Sequence, residues 1–264
     1  MPDFTAKDVQ ALRQSTGVGM LDAKKALEAN AGDMEAAVQW LRVNGISQAA
    51  KRDDREAAEG AVAAVRDGNV AALVSLRCET DFVAKSADFV ALVDEIAARV
   101  AADGTEATKG FDDDIDKLRT TLKENISIGT VCRLEAASGQ VVDTYLHRQA
   151  DRGVNAVAIV LDGGSEELAH DIAIHIAFAK PSYLSREDVP AAEVDAERET
   201  IAEISRNEGK PEAALEKITE GRLNGWFKER VLLEQPYARD EKQTVAQLLG
   251  GATVVEFAQV LIGG

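Results

Sequence analysis

A chain of 264 residues that is 45% hydrophobic can bury a core without disulfide staples, and its length predicts about two domains. Its 46 acidic residues against 30 basic ones leave a net charge of −16, which argues against general nucleic-acid or anionic-membrane binding, because both depend on clustered Lys and Arg. Two cysteines, Cys78 and Cys132, exclude a disulfide scaffold and a four-cysteine zinc site. No apolar run reaches the ~18 residues of a bilayer span, and Met1-Pro2-Asp3-Phe4 has neither the basic nor the apolar stretch of a secretory leader. A cytoplasmic protein is expected.

The first 48 residues predict a small helical unit. Thr5 with Asp8 reads as a capping box before Val9 and Leu12. Thr16-Gly17-Val18-Gly19 breaks that helix, and a second runs from Met20 to Asn30. Asp33 caps a third, whose Met34, Ala37, Val38 and Leu41 fall at i, i+3, i+4 and i+7. Asn44-Gly45 ends it. A bundle this small has a thin core and suits docking rather than chemistry. Charged, alanine-rich residues 49–59 read as a linker.

The middle of the chain repeats itself. Ala61–Val65 and Val70–Leu76 read as strands around the turn Arg66-Asp67-Gly68-Asn69, followed by a helix from Ala87 to Ala102. Val141–Leu146 and Ala156–Leu161 read as strands around a turn containing Gly153, followed by a helix from Glu166 to Ala179. Gly68 aligns with Gly153 and Ala71 with Ala156, while Asp94-Glu95-Ile96-Ala97 aligns with His170-Asp171-Ile172-Ala173. The first copy therefore carries extra residues within 78–86. This predicts a duplicated α+β body, 60–140 followed by 141–185 with 231–264, built on two small antiparallel sheets. Read from residues alone, Phe82 in the extra loop would tuck onto its own domain, and Asp81 would cap a helix or stand solvated.

Residues 186–230 predict two long helices broken at Asn207-Glu208-Gly209-Lys210-Pro211, with Pro211 in the first turn of the second. Their apolar positions, Val194, Ile201 and Ile204, then Leu215, Ile218, Leu223, Trp226 and Phe227, are too sparse to bury much against a body. A projecting antiparallel coiled-coil arm follows. It leaves two states open, pairing with a second copy of the chain or with nothing. A short helix at Val245–Leu249 and a strand from Thr253 to Ile262 return to the body.

Catalytic patterns are sparse. His170 and His175 lie five apart on a helix, so their side chains diverge by roughly 140° and do not form an i, i+4 metal pair. They and His147 read as surface or satisfied core histidines. Both cysteines read as buried, reduced hydrophobes. Phosphate-loop, dinucleotide and nucleophile-elbow glycine patterns are missing from the sequence. The expectation is no enzyme, no cofactor and no metal of its own; a generic protein-docking module is the plain reading.

Two stretches point further. Leu12-Arg13-Gln14-Ser15-Thr16-Gly17-Val18-Gly19-Met20-Leu21-Asp22-Ala23-Lys24-Lys25-Ala26-Leu27 and Glu79-Thr80-Asp81-Phe82-Val83-Ala84-Lys85 resemble the two signatures of the bacterial elongation factor Ts family, guanine-nucleotide exchange factors for elongation factor Tu. His175-Ile176-Ala177, Lys180-Pro181, Gln235-Pro236-Tyr237 and Lys242-Gln243-Thr244-Val245 match in the same order. The resemblance implies a ubiquitin-associated-like N-terminal domain that docks on the GTPase, the two core subdomains and the coiled-coil arm. It implies that Asp81 and Phe82, with Thr80 and Val83 beside them, enter the GTPase and dislodge its magnesium ion. Met20, Lys24 and His147 match further partner contacts. No direct nucleic-acid or membrane partner is implied. Leu122-Lys123 stands before Glu124-Asn125-Ile126 where the family has Ile-Gly, so that glycine's contact is not carried over. The chain stops at Gly264, where some members carry a further helical module whose contacts it would lack.

Overall fold

The computed structural model describes residues 4–16, 20–38, 40–41 and 57–263. The expected breaks at 17–19 and at Asn44-Gly45, and linker residues 49–56, lie outside the described residues. Helices α1 (Ala6–Thr16), α2 (Met20–Ala29) and α3 (residues 34–38 and 40–41) form the first unit. Asp8 accepts hydrogen bonds from both the Thr5 amide and hydroxyl, at 2.7 and 2.8 Å, and Asp33 caps α3 by accepting from the Ala36 amide at 3.0 Å. Leu12, Ala23, Ala26, Leu27, Ala37 and Leu41 make the core, with Met34 and Trp40 at its margin. Val38, expected on the buried stripe, is exposed: Ala37 and Leu41, four apart, carry the buried face of α3 and Val38 falls at its flank.

Two three-stranded antiparallel sheets form the body. Strands β1 (Glu59–Asp67), β2 (Val70–Cys78) and β3 (Ser127–Glu135) lie in that order; β4 (Gln140–Gln149), β5 (Arg152–Asp162) and β8 (Thr253–Leu261) form the second. Glu59 therefore opens β1 rather than closing the linker. The sheets pack face to face through Val62, Ala71 and Leu73 against Ala156, Ala158 and Val160. Helix α5 (Ala87–Asp103) covers the outer face of the first sheet and α7 (Glu166–Ala179) that of the second. The result is four layers, helix, sheet, sheet, helix. Buried on both faces, β2 and β5 read as continuous apolar runs rather than alternating ones.

Gly68 closes the first hairpin at φ +58°, a conformation glycine adopts without penalty. Gly153 does not close the second. The turn there is Ala150-Asp151, at φ +51° and +65°, and Gly153 lies within β5. A Cβ at Gly153 would stand 2.1 Å from the Val62 carbonyl oxygen, so this glycine serves the approach of one sheet to the other. The helices keep the expected correspondence: Val93, Ile96, Ala97, Val100 and Ala101 of α5 are buried, as are Ala169, Ile172, Ala173, Ile176 and Ala177 of α7. One helical turn, α4 (Asp81–Ala84), lies between β2 and α5 and has no counterpart between β5 and α7.

After α5 comes α6 (Asp112–Leu122), and after α7 an antiparallel hairpin of α8 (Ala191–Asn207) and α9 (Glu212–Arg230). Pro211 precedes α9 as its cap residue, since it lacks an amide hydrogen to donate and its ψ of 135° is extended. Ile201, Leu223, Trp226 and Phe227 pack with Val189 and Val231 at the hairpin's base, while Ile204 is exposed. Arg198 to Glu220 at 3.2 Å and Arg222 to Glu208 at 2.6 Å tie the helices along their solvent side. Strands β6 (Pro236–Tyr237) and β7 (Asp240–Thr244) and helix α10 (Val245–Leu249) complete the chain before β8. Among the described residues no helix is long and apolar enough to cross a membrane.

Candidate functional site

The loop from Cys78 to Ser86 is built to be rigid at its root. Thr80 caps α4, its hydroxyl accepting from the Val83 amide at 3.4 Å. The Glu124 carboxylate accepts the amides of Glu79 and Thr80, each at 3.0 Å, and the Thr80 hydroxyl at 2.5 Å. Glu79 answers by accepting the Asn125 amide at 2.7 Å. The Cys78 thiol donates to the Thr80 carbonyl at 3.2 Å, and the Ser86 hydroxyl to the Val83 carbonyl at 2.8 Å. Val83 and Ala84 are buried against β1, β2 and α5.

One side chain is left over. Phe82 is 83% exposed, the most exposed large hydrophobic residue among those described. The sequence expectation that it tucks onto its own domain is overturned, because Val83 and Ala84 already occupy the inward face of this single turn. Asp81 lies beside Phe82 with its carboxylate 2.6 Å from Lys85 Nζ. That hydrogen bond, and then the charges of Lys85 and Arg152, hold the Asp81 carboxyl below its ordinary value despite slight desolvation. At neutral pH the turn shows a bare phenyl ring next to a carboxylate.

The other expected contact residues divide. Thr80 spends its hydroxyl inside the loop. Val83, expected at a partner surface, is a core residue: its side chain anchors the turn and is not offered outward. Met20 and the exposed Lys24 are four apart on α2 and share a face; Lys24 lies 3.7 Å from Glu28, and Leu21, which the motif reading did not single out, is exposed next to Met20. His147 is exposed near the end of β4, opposite Asn155 at a bulge, on the other sheet from the Phe82 loop.

The remaining histidines are satisfied. His170 Nδ1 lies 2.8 Å from Asp143. His175 is buried; its Nε2 donates to Gln235 Oε1 at 3.0 Å and its Nδ1 accepts the Ala238 amide at 3.2 Å, which fixes a neutral ring. Burial pushes the Cys78 thiol up to about 12, so this cysteine is an inert packing residue. Cys132, expected to be buried, is only half-buried on the edge strand β3. Among the described residues no group of three His, Cys, Asp or Glu side chains could hold a metal ion.

The residue that sequence reasoning missed is Glu124. It stands 44 positions from Thr80, so no local pattern links them. A signal existed only in part. Lys123 ends α6 in the left-handed region at φ +62°, which turns the chain so that Glu124 reaches the loop. A glycine at that position would be the conformational default.

Comparison with known proteins places these features. The family profile described as Elongation factor TS matches residues 79–264, beginning at the first residue after β2. The elongation factor Ts of Kineococcus radiotolerans is 45% identical over 96% of both chains. Those of Clavibacter michiganensis subsp. michiganensis and Renibacterium salmoninarum are 46% and 44% identical over the whole of both. With relatives this similar along its full length, and with the Thr-Asp-Phe turn held out from its body, this chain belongs to the elongation factor Ts family.

Proposed function

We propose that the chain is a translation elongation factor that acts as the guanine-nucleotide exchange factor of elongation factor Tu. The observation that carries this reading is the exposed Phe82 on a turn whose root is fixed by Glu124, Thr80 and Val83. An apolar wedge must be both presented and stiff. A floppy loop would lose on ordering much of what the ring gains on burial.

The mechanism is mechanical and electrostatic. Magnesium between GDP and protein oxygens demands near-ideal octahedral geometry. Phe82 enters an apolar pocket of the GTPase and shifts the segments that shape that geometry. Asp81 acts beside Phe82, by hydrogen bonding or by charge near the magnesium and phosphate site, and the ion loses its geometry as those segments shift. The chain binds the nucleotide-free GTPase more tightly than the GDP form, and by linkage GDP binds the complex more weakly by the same factor. GTP then fills the emptied site and displaces the factor. This chain makes and breaks no covalent bond.

In this reading the parts have distinct tasks. Residues 1–48 are a ubiquitin-associated-like domain whose Met20 and Lys24 face docks on the GTPase, with 49–58 as its linker. Residues 60–140, and 141–185 with 231–264, are two copies of one hairpin-plus-helix unit, the copies carrying Phe82 and His147. The hairpin 186–230 is a coiled-coil arm, open to pairing with a second copy. The exposed Met20 and Leu21 equally suit the rival reading, a docking module without exchange activity. Release of a fluorescent GDP analogue from elongation factor Tu separates the two. Acceleration at catalytic amounts of the chain is expected; binding without acceleration would leave only the docking module.

A further inference from the structure

The Phe82 loop belongs to one sheet and the His147 hairpin to the other, and beside the apolar packing of the sheets one largely buried polar side chain links the two. Arg152 opens β5 directly after the tight turn at Ala150-Asp151. It crosses to the first strand of the other sheet, where Nη1 donates to the Gly60 carbonyl at 2.6 Å and Nη2 to Glu59 Oε2 at 2.8 Å. The Gly153 backbone lies against Val62 beside it, so the hairpin tip rests on β1 with no side chain between. The Arg152 side chain is 11% exposed, and its Nε is buried without an acceptor.

Stability alone does not account for this arrangement. A buried guanidinium with an orphaned donor is costly, and an apolar residue of similar length often fills such a place at no loss. What the guanidinium supplies is geometry, because its rigid fork fixes two acceptors at once. Those acceptors lie at the root of the loop. Glu59 and Gly60 pair across the ladder with Cys78 and Arg77, and Cys78 is the residue from which the loop departs. After Lys85, Arg152 is the cation that helps hold the Asp81 carboxylate in its charged form.

We propose that Arg152 is a positioning residue, which locks the hairpin carrying His147 to the root of the Asp81–Phe82 turn so that both meet the GTPase as one rigid unit. The proposal rests on the exchange reading of that turn. It is tested with Arg152→Met, which keeps the length and removes the fork, and with Arg152→Lys, which keeps the charge and one bond. Amide hydrogen exchange is followed at residues 79–84 and in α7. Assisted GDP release is measured for each variant, alone and combined with Phe82→Ala.

The loss of the two-bond fork predicts at least about tenfold faster hydrogen exchange at 79–84 in Arg152→Met, with α7 unchanged. Assisted GDP release slows by about the same factor, and Arg152→Lys restores part of it. In the Phe82→Ala background the further slowing is much smaller, because Arg152 acts largely through that turn. Unchanged exchange at 79–84 overturns the proposal, as does equal slowing in both backgrounds. Faster exchange in α7 as well would make Arg152 a general stabiliser and also overturn it. If the wild-type chain does not accelerate GDP release, the exchange reading fails, and hydrogen exchange alone still decides whether Arg152 holds the loop.

Discussion

Leaving Phe82 exposed forgoes about 1.5–3 kcal/mol that burial of a large apolar side chain returns. That energy is available to a partner with an apolar pocket and does not contribute to this fold. Phe82→Ala is therefore expected to leave the urea midpoint nearly unchanged, within about 0.5 kcal/mol. Glu124 is the opposite case, a side chain whose carboxylate accepts from Glu79 and Thr80 and so fixes the root of the turn that carries Phe82. Glu124→Gln keeps the shape but halves the accepting oxygens, so amide exchange at Glu79 and Thr80 should rise about tenfold, as read by hydrogen-exchange mass spectrometry. Lys123 holds a left-handed backbone at φ +62°. Lys123→Gly should raise stability by about 1 kcal/mol in a denaturant titration, because glycine adopts that conformation without the Cβ clash. At this scale the sequence motif singled out Asp81 and Phe82, but showed neither the exposure of Phe82 nor the support of the turn. Exposure depends on which neighbours fill the inward face of α4, and the support comes from a side chain far along the chain.

At the scale of elements, the junction of arm and body turns on His175. Gln235 receives its Nε2 hydrogen bond and donates in turn to the Glu229 carbonyl at the end of α9, at 2.9 Å. Burial lowers the protonation of His175 below the ordinary 6.5, against the opposing Gln235 bond. The unfolded chain then binds the proton more readily than the folded one. Stability is full above about pH 6.5 and falls as the pH drops toward the lowered folded value, by up to about 1.4 kcal/mol per unit. His175→Gln should flatten the stability profile between about pH 5 and 7 in urea titrations; an unchanged slope would contradict the buried neutral ring. The matching burial of α5 and α7 was legible because a helix buries one face at a 3.6-residue period. The second hairpin turn was not. Gly153 reads as turn punctuation, yet it serves contact between sheets, and Ala150 and Asp151 adopt positive φ without a glycine to announce them. Both arm helices were legible from composition, while Ile204 was misjudged because Ile201 and Ser205, four apart, carry the buried face of α8 and Ile204 falls beside it.

At the scale of the molecule, two sheets back to back give the body a stiff double layer, and small residues at their interface let it close. Ala71, Ala156 and Ala158 sit where larger side chains would hold the sheets apart. The four-residue turn that carries Phe82 is seated on that layer, with Val83 and Ala84 packed against the strands beneath it. The fold class was readable from the alternation of apolar runs and helical stripes. The face-to-face packing was not, because a strand buried on two sides shows only a continuous apolar run, which any second layer would satisfy. The central claim is that a held-out phenylalanine drives nucleotide exchange. Its most direct test is stopped-flow release of a fluorescent GDP analogue from elongation factor Tu, with the wild-type chain and Phe82→Ala compared at equal concentrations. The account predicts fast release with the wild type and slowing by roughly 10- to 150-fold in the variant, the equivalent of one buried phenyl ring. Equal release rates from two equally folded proteins would contradict it.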